Sequence, residues 1–214
     1  MPNLITLSRL LLLILVVIVA YQPPGPAQLL NVPLLILVFV TDGLDGYVAR
    51  RRHETSQFGA MFDIAGDRIV ELTMWIVLAH LGLVPVWVPI VFVVRGTIVD
   101  AIRASQTTSR RASPFALMET PLGKWLVGGR FMRALYAVSK ATAFCWLLLL
   151  QPLPVVAPGP WADHGAMATA IGEWLVLLAV VLCLVRGLPV IVEFAYSERR
   201  AILGSLLRPE SSGR

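Results

Sequence analysis

The chain of 214 residues is 57% apolar and 14% charged with a mean hydropathy of +0.76, a composition outside the range of ordinary soluble domains. Eighteen basic against 13 acidic residues give a net charge of +5. The basic residues cluster at the ends of apolar stretches, so attraction to anionic lipid headgroups accounts for them and a nucleic-acid partner is excluded.

Apolar stretches run over roughly 4–21, 29–48, 64–84, 86–104, 131–151 and 170–196, each near the ~20 residues that cross a bilayer. They predict an all-α, polytopic membrane bundle of six transmembrane helices. In the first, Arg9 followed by Leu10–Ala20 has the look of a signal peptide, but no small-x-small cleavage site follows, and the stretch is read as a span. The second is apolar only from Leu29 to Val40 before Asp42 interrupts it, so its helix must carry an acidic turn to the membrane boundary. The third and fourth contain Asp67, Glu71, Arg95 and Asp100. The fifth opens on Arg130 and Arg133 and holds Lys140. Pro152, Pro154, Pro158 and Pro160 mark a loop over Gln151–Ala168, and the sixth stretch carries Arg186 well inside it. Residues 1–198 form the membrane domain and 199–214 a tail. Cys145 and Cys183 lie in apolar surroundings and read as packing residues.

Orientation follows from the basic residues. Gln22–Gln28, His80–Pro85 and Gln151–Ala168 contain no Lys or Arg, whereas Arg50–Arg52, Arg103–Arg133 and Arg199–Arg214 hold most of them. The positive-inside rule places these basic segments and both termini in the cytoplasm, at the inner face of the plasma membrane.

The chemistry concentrates in the 26 residues from Asp42 to Asp67. Asp42 and Asp45 are three apart and Asp63 and Asp67 four apart, so each pair shares a helix face. Four carboxylates converging on one pocket repel each other unless cations fill it, and hard oxygen ligands suit Mg²⁺ or Mn²⁺. Gly46, Ala49 and Gly59 are small enough to admit a ligand to the backbone, and equally small enough to permit close helix packing. Arg50 stands among them, while Arg51, Arg52 and His53 read as a solvated anchor.

These residues, spaced as Asp-x₂-Asp-Gly-x₂-Ala-Arg-x₈-Gly-x₃-Asp-x₃-Asp, match at every position the signature of the CDP-alcohol phosphotransferases, which the chain resembles. The opening Pro2-Asn3-Leu4-Ile5-Thr6-Leu7-Ser8-Arg9 is similar to that of phosphatidylglycerophosphate synthases in the same family. The resemblance implies attack by an alcohol on the lipid-side phosphorus of CDP-diacylglycerol, with release of CMP. It implies that Asp42, Asp45, Asp63 and Asp67 hold divalent metals and that Gly46, Ala49, Arg50 and Gly59 bind the cytidine diphosphate. Asp67 would be the base for the acceptor hydroxyl. Spacing alone does not separate these roles, and a bridging position for Asp67 at a second metal stays open. The family also implies membrane lipids as surroundings and a possible homodimer.

Arg130, Arg133, Lys140 and Arg186 lack enough nearby acids to pair them, which points to an acceptor bearing its own phosphate. Glycerol 3-phosphate is the first choice and inositol phosphate the second. Asp63-Ile64-Ala65-Gly66-Asp67-Arg68 departs from the Asp-Pro-x-Ala-Asp-Lys form frequent in glycerophosphate-using members. Glu71, one turn beyond Asp67, is read as a satisfied membrane carboxylate. A cation transporter is the alternative from another class, disfavoured because the cluster sits at one membrane edge and no repeat is visible.

Overall fold

The computed structural model describes residues 2–52, 57–108, 125 and 128–206, with side chains for 7–41, 59, 61–102, 104, 125 and 128–196. Six long helices are present among them: α1 (Pro2–Ala20), α2 (Asn31–Arg52), α3 (Gln57–His80), α4 (Trp87–Thr108), α5 (Arg130–Leu150) and α6 (Pro158–Leu206). A 3₁₀ segment, Pro26–Leu30, leads into α2, and a single helical turn, Leu153–Val156, separates α5 from α6.

Helix ends follow local chemistry. The Pro23-Pro24 pair cannot continue α1, and the Ala20 carbonyl left over at its end accepts hydrogen bonds from Gln28 Nε2 at 3.2 Å and Gln151 Nε2 at 2.8 Å. At the end of α3, Gly82 adopts a left-handed φ of 72°. That geometry lets Leu83 N–H donate to the Leu78 carbonyl at 2.9 Å and Gly82 N–H to the Ala79 carbonyl at 3.1 Å, the two bonds of a Schellman stop.

Three helix boundaries differ from the sequence expectation. Helix α6 begins at Pro158, so the proline-rich stretch expected to be loop as far as Ala168 is mostly helical. Pro158 and Pro160 occupy its first turn, where a missing N–H costs nothing. At its other end α6 runs to Leu206, past the point where a separate tail was expected. Helix α3 likewise starts seven residues ahead of the apolar stretch it contains, because the helix continues through Asp63, where that stretch stops, back across the mixed residues Gln57–Phe62.

By its packing the chain divides into two compact units, Met1–Phe92 with Ala137–Val180, and Val93–Tyr136 with Val181–Arg214. In the first, α1 packs on α2 and α3. Its core centres on Trp75, fully buried, stacked on Phe92 at 4.6 Å and met edge-on by Phe144 at 4.6 Å. On α1 the buried residues are Arg9, Leu13, Val16 and Ala20, one stripe at helical spacing. The opposite face carries Leu11, Ile14, Leu15 and Ile18, all exposed. The second unit is built on Val99, Ile102 and Val190, with Ile191 and Phe194 against them.

A helix apolar all round belongs in a large core or in lipid. Among the described residues, Arg130–Val156 and Pro158–Tyr196 are long and apolar enough to cross a membrane, while Leu7–Ala20 and Pro26–Thr41 are shorter apolar helices. The third and fourth expected spans fall outside this group. Their apolar runs are broken by Asp67, Arg68 and Glu71 in α3 and by Arg95 and Asp100 in α4.

Candidate active site

The described half of the acidic motif lies on α3, where Asp63, Asp67 and Glu71 stand at successive four-residue steps along one face. Burial increases along this face. Asp63 is exposed, the Asp67 side chain is 57% exposed, and Glu71 is buried. One turn further, Met74 and Trp75 are fully enclosed, so the core anchors the helix and its polar turns project from it.

Each of the two inner carboxylates is met by a base from another helix. Arg9 Nη1 on α1 donates to Asp67 Oδ1 at 2.9 Å, and the arginine is only 2% exposed. Lys140 Nζ on α5 donates to Glu71 Oε1 at 2.7 Å, and Arg68 Nη1 donates to Glu71 Oε2 at 2.9 Å. Glu71 is therefore the satisfied carboxylate that its position suggested. Lys140 is corrected in one respect: it has an acidic partner 69 residues away in sequence, so the argument from an unpaired cation does not extend to it, nor to Arg186, whose side chain is also engaged.

Asp42, Asp45, Gly46, Ala49 and Arg50 all fall on the last turns of α2, and its helical backbone puts Asp42 and Asp45 on a common face. Their side chains lie outside the described residues, and with them the expected meeting of four carboxylates. Gly59 is half-buried in the first turn of α3. Among the described residues no group of three or more His, Cys, Asp and Glu gathers at a metal-binding distance. The donor chemistry of the α3 face nonetheless fits a hard divalent cation: Asp63 and Asp67 offer exposed carboxylate oxygens with no thiolate or imidazole beside them on that face.

The second unit holds the other expected cations. Arg130 and Arg133 are exposed at the start of α5. Arg186, half-buried, lies over the Tyr136 ring at 5.2 Å, and Arg95, 8% exposed, lies over the same ring at 5.9 Å. Arg95 reaches that position along the bare backbone of Gly187, where a Cβ would fall 2.5 Å from its Nε.

One candidate, Arg9, lies outside the residues that the motif marks, although its place on the spacing of Leu13, Val16 and Ala20 marks it as inward-facing. Arg95, already conspicuous in sequence as a charge in the fourth apolar stretch, has its partner in the Tyr136 ring.

The sequence model of the CDP-alcohol phosphatidyltransferases matches residues 1–185. The chain is similar to the CDP-diacylglycerol–glycerol-3-phosphate 3-phosphatidyltransferase of Salmonella typhimurium strain LT2, 26% identical over 169 residues, covering 78% of this chain and 82% of the relative. It is 29% identical over 126 residues to the Haemophilus influenzae protein of the same name, covering 58% of this chain and 67% of that one. With the Rickettsia prowazekii protein, again of that name, it shares 31% over 70 residues, 33% of this chain and 39% of the relative. With the family model spanning most of its length and an acidic motif carried on α2 and α3, the chain belongs to the CDP-alcohol phosphatidyltransferase family.

Proposed function

We propose that the protein transfers the phosphatidyl group of CDP-diacylglycerol to glycerol 3-phosphate, releasing CMP, at the cytoplasmic face of the membrane. The observation that carries this reading is the complete motif from Asp42 to Asp67, whose second half stands on the exposed face of a core-anchored helix. The names of the relatives support glycerol 3-phosphate as acceptor. The apolar outward face of α1 and the two long apolar segments support a membrane setting.

In the reaction the acceptor oxygen forms a bond to the lipid-bearing phosphorus, the phosphorus–oxygen bond to CMP breaks, and the hydroxyl proton passes to a carboxylate. Asp67 is the base and also a cation ligand; Asp42, Asp45 and Asp63 are chiefly cation ligands. Bound Mg²⁺ or Mn²⁺ supplies countercharge to the diphosphate and to the departing CMP. Gly46, Ala49 and Gly59 leave room for the cytidine diphosphate, and Arg50 pairs with its charge. Arg130 and Arg133, exposed at the start of α5, are the remaining candidates to bind the phosphate of an acceptor. Lys140, held on Glu71, braces α3.

Purified protein in detergent, given CDP-diacylglycerol and a panel of acceptors, tests this by CMP release. Glycerol 3-phosphate is expected to far outperform glycerol, with inositol phosphate and inositol as the paired control, and chelation should stop turnover until Mg²⁺ or Mn²⁺ is restored. Equal use of phosphorylated and unphosphorylated acceptors would return the arginines to the role of headgroup anchors. Activity that survives exhaustive chelation would remove the metal from the scheme.

Orientation is tested by reporter cysteines. Positions Arg51 and Ser109 should label from the cytoplasmic side and Ala157 from the opposite side. Labelling of all three from one side contradicts the arrangement.

A further inference from the structure

We infer that Arg9 is a positioning residue for the transfer reaction: from the interior of α1 it holds one oxygen of Asp67, fixing the carboxylate that receives the acceptor proton. The inference rests on the reading of Asp67 as that base. Its structural basis is the contact itself, because Arg9 lies outside residues 42–67 and is brought to Asp67 by the fold.

An arginine almost fully removed from solvent is costly unless its charge is met, and here it is placed on the same inward stripe as Leu13, Val16 and Ala20. Its guanidinium reaches α3 at Asp67 Oδ1, 2.9 Å away. The two ends of this bond differ: the arginine is 2% exposed and the aspartate side chain 57% exposed. The arginine is thus the fixed member, packed on all sides, and the aspartate is the accessible one. Left alone, an aspartate on an open helix face would move among its rotamers. A base must come within hydrogen-bond reach of the hydroxyl, and an error of about 1 Å in such a group costs roughly a hundredfold in rate. With Oδ1 engaged, the carboxylate is restrained while more than half of the side chain stays open to a reactant. The contact is made through Nη1 alone, so a lysine, which keeps the charge on a shorter and more flexible stem, would hold Oδ1 only in part.

The test compares Arg9→Ala, Arg9→Lys, Asp67→Asn and the Arg9→Ala/Asp67→Asn pair. Arg9→Ala should lower kcat about 10- to 100-fold, as loss of a group that orients a site ligand does. The KM for CDP-diacylglycerol should change little, and added guanidinium ion should recover part of the rate. Arg9→Lys, which keeps the charge and most of the volume, should fold as wild type and lose an intermediate part of kcat; it decides the matter if Arg9→Ala does not fold. A second readout needs no turnover. In thermal unfolding the two single changes should be less than additive in the double variant, because each removes the same ion pair. Wild-type turnover by both Arg9 variants, or strictly additive unfolding effects, overturns the inference. A wild-type protein that releases no CMP with any acceptor defeats the functional reading instead.

Discussion

Replacing Asp67 by asparagine should lower kcat about 10²- to 10⁴-fold, the usual share of a general base, while leaving binding of CDP-diacylglycerol largely intact. The amide keeps the size of the carboxylate and can still accept a bond from Arg9 through its oxygen, so the site retains its shape and loses its proton acceptor. Asp63→Asn should behave differently. As a cation ligand on the exposed turn before Asp67, its loss should weaken metal and CDP-lipid binding together. Equilibrium binding of the CDP-lipid beside single-turnover CMP release separates the two patterns. If both variants lose binding to the same degree, Asp67 is a metal ligand first and the base lies elsewhere.

The largest effect on stability is expected at Glu71. Its two oxygens are taken by Lys140 and Arg68, and the carboxylate is 7% exposed in its side chain while the bases keep 16% and 22%. Glu71→Ala leaves two cations facing each other in a confined space, and breaking a buried pair in this way costs about 3–5 kcal/mol. The partial exposure of both bases puts the expected value near the lower end. Glu71→Gln preserves the volume and one acceptor and should cost less. Unfolding in detergent measures both, and a Glu71→Ala variant as stable as wild type would show that the network contributes nothing net. Removing Lys140 and Glu71 together, as Lys140→Met with Glu71→Leu, should be better tolerated than Glu71→Ala alone, since only Arg68, the more exposed of the two bases, then loses its Glu71 contact.

Much of the helix layout was legible because outward-facing and core-facing residues are both apolar, which makes long uniform runs in the sequence. The stretch 131–151 became Arg130–Leu150 almost residue for residue. The reading failed where polarity and helicity part company. Helix α3 starts at Gln57 because the backbone ladder runs on through Asp63 whatever its side chain, whereas the apolar stretch read from the sequence stops there. The prolines at 158 and 160 look like loop residues in the sequence, yet they initiate a helix. The motif itself needed no structure, since its information is in spacing along two helices. The partners of its carboxylates did need one: Arg9 is 58 residues from Asp67 and Lys140 is 69 from Glu71, and nothing in local periodicity says which distant base will arrive.

Helix α1 is pinned at two places on one side, by Arg9 at Asp67 and by the Ala20 carbonyl shared between Gln28 and Gln151. The eleven residue steps from Arg9 to Ala20 span about 16 Å, three turns, and a slip of a single residue would rotate the helix by about 100° and lose both attachments together. The first helix is therefore indexed, like a key cut at two depths. A different apolar segment of equal length could still enter a bilayer in its place, but it would carry no mark telling it where to stop turning, and the carboxylate on α3 would lose its reference point.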